Sequence, residues 1–240
     1  MKRIKLQNPS DHISTHLTHW TGRKKEDDEA FSILKKIVVT KQLKFSYNTI
    51  SFPDDSSITK NLMICFADIP LYQSYEHCRR YNHFGIGFNK NEMIDYGASP
   101  VLYIVENRRP HQDYLQNILT NADFQNNQSK SLISWYHSMN QPYNSNNLSE
   151  FFEREWRIIR ILPFHWKQRA EETRGKYNEQ PFKGEIERIE IGGDMNNEEF
   201  YLQFDSKVIE NIIVPNHYAE QAEKLINDNN LACELIIIDF

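Results

Sequence analysis

The chain reads Phe151-Phe-Glu-Arg-Glu-Trp-Arg-Ile-Ile-Arg-Ile-Leu162 at the point that decides its fold. This run is rich in aromatic and β-branched residues and has no glycine or proline, which predicts a long strand. Because successive strand residues point to opposite faces, Glu153, Glu155 and Arg157 share one face and Trp156 lies on the other. The segment therefore predicts a strand that sets three charged groups in a row opposite a large aromatic side chain.

Short strands and helices surround this segment. Short apolar runs predict strands, and apolar residues at helical spacing predict helices. One helix is expected to begin near Asp27, where Asp27 and Asp28 can supply acceptors to the first N–H groups. The other predicted strands are 13–20, 62–66, 84–88, 101–105, 185–191, 200–204 and 235–238, and the other predicted helices are 70–81, 114–137 and 218–229.

The order of these elements predicts an α+β fold. Strands cluster after residue 150 and do not alternate regularly with helices, as they would in a βαβ array. We therefore expect mostly antiparallel sheets with flanking helices. A chain of 240 residues, 39% of them hydrophobic, is within the size of one compact unit, so we expect a single domain over residues 1–240.

Charge and cysteine content limit the kinds of partner. The net charge of -5 gives the chain no general attraction to nucleic acid or to an anionic membrane. Basic clusters at 23–25 and 167–176 each lie beside acids, so a phosphate-binding role and a solvated surface both stay open. No apolar run approaches the roughly 20 residues that span a bilayer, and three scattered cysteines argue against a secreted disulfide framework. We expect a cytoplasmic protein with no membrane partner.

Glu153, Glu155 and Arg157 are the strongest candidates for catalysis. Two carboxylates in different surroundings can take different roles, so that one activates a nucleophile while the other stabilises a developing cation. The alternative is the charged, water-facing edge of a half-buried strand. The sequence alone leaves both interpretations open.

Candidate ligand-binding residues lie nearer the N-terminus. His19 and Thr21 stand together before a glycine turn, where they could grip a nucleotide, or His19 could be a strand histidine bonded to a backbone carbonyl. Gly85 alternates with bulky residues, which marks either the close approach of a ligand or tight packing. Tyr81 offers an aromatic platform or a core contact. The spacing of histidine and cysteine matches no usual ligand pattern, so no metal site is predicted.

Five sequence blocks stand in a fixed order along the chain. They are His19-Trp-Thr-Gly22, Met63-Ile-Cys-Phe-Ala-Asp-Ile-Pro-Leu71, Glu76-His77 with Tyr81-Asn-His-Phe-Gly-Ile-Gly-Phe-Asn-Lys90, Ser99-Pro-Val-Leu-Tyr103 and Glu153-Arg-Glu-Trp-Arg157. In this order they resemble the AbiGi family of bacterial abortive phage-resistance proteins, whose members are often labelled the antitoxin of a pair. The resemblance spans about residues 16–160. It implies that the partner is a toxin or antitoxin protein.

A second resemblance concerns the arrangement of single residues. A histidine on an early strand, a tyrosine near a glycine-bearing strand and a Glu-x-Glu strand are similar to the pattern of ADP-ribosyltransferases, which bind NAD in a cleft between two small sheets. The resemblance implies that NAD is a substrate, that His19 holds the adenosine-side ribose and that Tyr81 stacks near nicotinamide. It also implies that Glu155 contacts the nicotinamide ribose and that Glu153 activates a protein or nucleic-acid acceptor.

Two functions follow from these patterns. The first is a phage-defence effector that uses NAD, and the second is a non-catalytic binding module or antitoxin that recognises a toxin or nucleotide. The first requires Glu153 and Glu155 to face one cavity, His19 to lie on a neighbouring strand and Trp156 to be buried on the opposite face. It also expects Glu155→Gln to abolish activity with little change in stability, since active-site charges usually cost stability.

Overall fold

The computed structural model describes residues 14–51, 58–105, 136–139, 154–160 and 200–238. In chain order its strands are β1 (His16–Thr21), β2 (Gln42–Lys44), β3 (Ser46–Ser51), β4 (Ile58–Ala67), β5 (Phe84–Asn89), β6 (Ser99–Pro100), β7 (Leu102–Val105), β8 (Tyr136–Met139), β9 (Glu155–Arg160), β10 (Tyr201–Gln203), β11 (Ile209–Pro215) and β12 (Glu234–Ile238). The helices are α1 (Asp27–Thr40), α2 (Tyr75–Tyr81), α3 (Lys90–Asp95) and α4 (Ala219–Asp228), with 3₁₀ turns at Leu71–Gln73, Ser206–Val208 and Asn216–Tyr218.

One large sheet organises the described residues. Its strand order is β12-β11-β5-β1-β4-β9-β6, and β3 pairs with the first half of β4. Its strand pairs are antiparallel except for β11 with β12. Two small sheets join β2 to β10 in antiparallel and β7 to β8 in parallel. The predicted α+β class with mostly antiparallel sheets is confirmed.

One face of the large sheet packs into the main hydrophobic core. We name it the core face and define it by Leu17, Phe66, Ile86 and Phe88, all of which are buried. Leu17 lies opposite Phe88, and residues directly opposite in an antiparallel pair project to the same side. Helix α1 packs its apolar stripe into the same core, as its helical spacing predicted. The buried residues of α1 are Ala30, Phe31, Leu34, Ile37 and Val38.

The opposite face carries most of the polar side chains discussed below. Thr18 lies opposite Ala67, and Ala67 lies opposite Glu155, so these side chains project to one side. Cys65 and Arg157 form the next pair on that side. We name this surface the polar face. It includes β9 residues that the sequence analysis selected for catalysis.

The sequence located several elements well. The strands predicted at 84–88, 200–204 and 235–238 are β5, β10 and β12, and the helix predicted at 218–229 is α4. The helix predicted at 70–81 is instead a 3₁₀ turn followed by α2. The Ser74 hydroxyl donates to the carbonyl of Pro70 at 3.3 Å, a local bond that competes with regular helix. Asp27 and Asp28 bond to His217 and Tyr218 rather than to the N-terminus of α1.

The helix predicted at 114–137 is wrong at its end. Tyr136–Met139 forms β8, whose partner β7 precedes it by about thirty residues, and local periodicity carries no information about so distant a partner. Residues 114–135 and the strand predicted at 185–191 lie outside the described residues. Within the described ranges, none of the helices has the length and apolar character needed to cross a membrane.

The sequence analysis also missed β11, a largely buried strand that lies between β12 and β5 in the large sheet. Its residues Ile209-Glu-Asn-Ile-Ile-Val-Pro215 contain a β-branched run that could have identified it. The adjacent polar residues Glu210 and Asn211 break the alternation expected of a strand, which made the run hard to recognise. The structure accommodates them at a bulge, where the register between β11 and β5 shifts between Ile209 and Asn211.

Gly22 ends β1 at a turn that depends on the missing side chain. Its φ of +79° lies in the left-handed region, and a Cβ there would overlap the Cβ of Ala30 and lie 2.8 Å from its Cα. The Lys25 N–H donates to the Gly22 carbonyl at 2.9 Å and closes the turn. Strand β1 and helix α1 can therefore approach closely only with glycine at this position.

We expect Gly22→Ala to lower the free energy of unfolding by about 3 kcal/mol or more, because overpacking adds to left-handed strain. Gly97→Ala is the matched control, since Gly97 has φ +93° but no described atom lies within 4 Å of an added Cβ. Its free energy of unfolding should fall only by the cost of left-handed strain, about 1–2 kcal/mol. Urea denaturation measures both variants. Equal losses would contradict the packing explanation.

Candidate functional site

Glu155 and Arg157 form a buried ion pair on the polar face. Arg157 donates from Nε to Oε1 and from Nη2 to Oε2 of Glu155, each at 2.8 Å. The two residues are only 9% and 2% exposed. Burial lowers the pKa of Arg157, but the hydrogen bonds and charge of Glu155 outweigh this effect and raise the pKa above its ordinary value. These two residues are therefore not the water-facing edge that the sequence left open.

Cys65 and Tyr103 complete the surroundings of this ion pair. Cys65 lies opposite Arg157 on β4. Burial and the negative charge of Glu155 raise the pKa of the Cys65 thiol well above its ordinary value, so the thiol stays protonated at neutral pH and is a poor nucleophile. The Glu155 N–H donates to the Tyr103 hydroxyl at 2.6 Å. Residues from β4, β7 and β9 thus meet at Glu155.

Trp156 lies on the core face, as strand alternation predicted. It stands opposite Phe66 and packs against the hydrophobic core, but it is half-buried rather than fully buried. The Lys90 ammonium lies 4.7 Å from the centroid of its ring and 2.6 Å from the carboxylate of Asp68. The predicted division of β9 into two faces is therefore confirmed for residues 155–157.

His19 and Glu155 lie on opposite faces of the sheet. His19 stands opposite Ile86 on the core face, and its ring is 5.8 Å from that of Phe66. Strand β4 separates β1 from β9, so the predicted neighbouring-strand arrangement is wrong. The Nδ1–H of His19 donates to the Cys65 carbonyl at 2.9 Å, and burial lowers the pKa of the imidazole. This geometry matches the strand histidine bonded to a backbone carbonyl.

Glu153 lies outside the described residues. Strand β9 begins at Glu155, and Arg154 has φ 39°, in the left-handed region. A left-handed residue interrupts the alternation of an extended strand. The shared face predicted for Glu153 and Glu155 therefore stays a prediction.

The remaining predicted binding residues do not converge on one point. The Thr21 hydroxyl donates to the Phe84 carbonyl at 3.4 Å and is buried. Gly85 is covered, because an added Cβ would lie 3.0 Å from the Trp20 ring and 3.3 Å from Ile213. This is the tight packing that the sequence left open. Tyr81 ends α2 beside the turn after β1, where the Arg23 guanidinium lies 5.1 Å from its ring centroid.

Two polar atoms on β1 were missed by the sequence analysis. The Thr18 hydroxyl and the Trp20 indole nitrogen are buried and make no hydrogen bond in the part of the chain that the structure describes. They stand two residues apart on the polar face. A side-chain oxygen of Asp68 is the third such atom among the described residues. Within the same ranges, no group of three His, Cys, Asp or Glu side chains could hold a metal ion.

The described site is therefore an ion pair, Glu155 with Arg157, on a largely buried face of the sheet. Of the residues that the resemblance to ADP-ribosyltransferases assigned to NAD binding, His19 and Glu155 lie on opposite faces of that sheet.

The family model described as "Putative abortive phage resistance protein AbiGi, antitoxin" matches residues 31–215. The chain belongs to the AbiGi family. The match includes β4, β5, β9 and β11, and it begins after the His19 block. No curated protein and no solved structure matches the chain.

The sequence predicted little change in stability for Glu155→Gln, but burial of the ion pair changes that expectation. We now expect this substitution to lower the free energy of unfolding by about 3 kcal/mol, because it leaves the Arg157 charge uncompensated inside the protein. Urea denaturation at neutral pH measures the loss. The control is the double variant Glu155→Leu with Arg157→Met, which removes both charges and should recover most of the stability. A single variant as stable as wild type would show that the ion pair is solvated.

His77 on α2 should make stability depend on pH. Burial, and then the charge of Arg80, lower the pKa of His77 to about 4. The unfolded chain binds this proton near the ordinary value of 6.5, so between these two values the unfolded state holds more protons and stability falls as pH falls. We expect His77 to contribute a loss of roughly 2–3 kcal/mol between about pH 7.5 and about pH 4.5.

The variant His77→Phe keeps a ring that can stack on Tyr81, which lies 5.9 Å from the His77 ring. It cannot titrate, so the difference between its pH profile and that of wild type isolates the contribution of His77. Urea denaturation across this pH range gives both profiles. Parallel profiles would mean that His77 takes up its proton equally in both states.

Proposed function

We propose that this chain is the antitoxin of a phage-defence pair and that it acts in the cytoplasm by binding a partner toxin. The observation that carries the proposal is the closed geometry of the Glu155–Arg157 pair. Both carboxylate oxygens of Glu155 accept from one guanidinium. A carboxylate held in this way stabilises its own partner rather than a cationic ribose.

The NAD-dependent alternative finds less support in the same geometry. It needs His19 and Glu155 to hold one dinucleotide, but these side chains project to opposite faces of the sheet. A single cleft would have to reach through β4. Membership of a family described as an antitoxin also favours a binding role.

Deletion of the gene in its native host tests the proposal and can identify the toxin in the same experiment. We expect loss of this chain alone to stop growth, because the toxin is then unopposed, and plasmid expression of the chain should restore growth. Second-site mutations that permit the deletion should fall in one other gene, which identifies the toxin. Normal growth after deletion, with no suppressors needed, would contradict the antitoxin role.

The double variant Glu155→Leu with Arg157→Met separates the two functions. A binding antitoxin should still restore growth, because the ion pair supports the fold and performs no reaction. An NAD-dependent effector would lose all activity with both charged groups removed. Overproduction of wild type, with cellular NAD and ADP-ribose adducts measured by mass spectrometry, is the second measurement. A fall in NAD together with adducts that the double variant does not form would establish the effector instead.

A further inference from the structure

The outer side of helix α1 is basic over its C-terminal half. Lys35, Lys36, Val39 and Thr40 are all exposed there, and residues three and four apart on a helix are surface neighbours. Lys41, which is also exposed, follows directly at the C-cap. We name this surface the lysine face and define it by these five residues. It lies on the side of α1 opposite the stripe that packs into the core.

No acid along this part of the chain offsets the lysines. Residues 30–53 contain four lysines and no aspartate or glutamate. Strand β10 pairs with β2 beside the helix end, and the Phe204 N–H after it donates to the Lys41 carbonyl at 3.1 Å. Asp205, the acid of the described segment that carries β10, lies 3.8 Å from Lys207, so that segment adds no net charge. Among the described residues, none of the ion pairs includes a residue of the lysine face.

The stability of α1 does not require this combination of side chains. Cations stabilise a helix C-terminus within the last turn, but the last turn of α1 contains no basic residue, and Lys35 and Lys36 precede it. Val39 is 52% exposed, and a β-branched residue lowers helix propensity. The lysine face therefore holds cations and an exposed apolar side chain that serve neither the core nor the helix end.

We propose that the lysine face binds an acidic segment of the partner toxin, with Val39 at the centre of the contact. The proposal rests on the antitoxin function proposed above and names the surface that performs it. Lysines suit the polar rim of a protein interface, and an apolar residue suits its core. Charge complementarity at the rim speeds the association of two proteins and fixes their orientation.

Nucleic acid and membrane suit the lysine face less well than an acidic protein segment. Single-stranded nucleic acid stacks its bases on aromatic rings, and the lysine face has none. The acids Asp27, Asp28 and Glu29 in the first turn of α1 oppose a phosphate backbone that runs along the helix. A helix that binds a membrane surface turns its apolar stripe outward, whereas the stripe of α1 is buried. A protein partner can match the acidic and basic ends of α1 at once.

Restoration of growth in the deletion strain tests the proposal, with each variant expressed at the level of wild type. Lys35→Glu with Lys36→Glu should fail to restore growth, because it makes the face acidic and repels an acidic partner. Glutamate and lysine have similar helix propensity, so α1 should keep its structure, which circular dichroism and urea denaturation check. The matched control, Lys24→Glu with Lys224→Glu, reverses two exposed cations outside the lysine face and should restore growth.

Val39→Arg separates a protein partner from nucleic acid. Arginine adds a cation and favours helix, but its long side chain covers the centre of the proposed contact. A protein seated on Val39 should be displaced, so this variant should also fail to restore growth. A phosphate backbone would instead bind the added cation. Fluorescence anisotropy with labelled oligo(dT) and duplex DNA of about fifteen nucleotides measures that alternative. Restored growth, together with tighter binding of either DNA than by wild type, would overturn the proposal.

The toxin that the suppressor mutations identify allows a direct measurement. Its association rate constant with wild type should fall as salt rises, and Lys35→Glu with Lys36→Glu should lower that constant roughly tenfold or more. If wild type and this variant restore growth equally, the lysine face is not the contact, although the antitoxin function stands. If wild type itself does not restore growth, the antitoxin function fails and the proposal fails with it. A wild-type dimer in analytical ultracentrifugation that the variant does not form would assign the face to a second copy of this chain and overturn the proposal.

Discussion

The pairing register between β4 and β9 is the constraint on which the rest of the described structure depends. It sets Cys65 opposite Arg157 and Phe66 opposite Trp156, so that charged groups occupy one face and aromatic groups the other. A slip of one residue would turn Glu155 and Arg157 into the hydrophobic core and Trp156 away from it. Burial of the ion pair on one face and packing of Trp156 on the other therefore favour the same register.

The local part of this arrangement could be predicted from the sequence. Alternation in β9 predicted that Trp156 lies on one face of the sheet and that Glu155 and Arg157 lie on the other. Helical spacing identified the buried stripe of α1. The assembly of distant segments could not be predicted. The face shared by two residues depends on the number of strands between them and on the register of each pair, and neither is encoded locally. The resemblance to ADP-ribosyltransferases assigned His19 and Glu155 to one binding site. In the structure β4 lies between their strands, β1 and β9, and separates the two residues.

Glycine was ambiguous for a related reason. The alternation at Gly85 indicates that something approaches the backbone closely, but a ligand and a neighbouring side chain leave the same mark on the sequence. The structure gives Trp20 as the neighbour. At Gly22 the neighbour is Ala30 of α1, so both glycines serve to bring elements of the same chain together. The polar atoms of Thr18 and Trp20 were missed because an isolated threonine and tryptophan on a strand suggest packing rather than recognition.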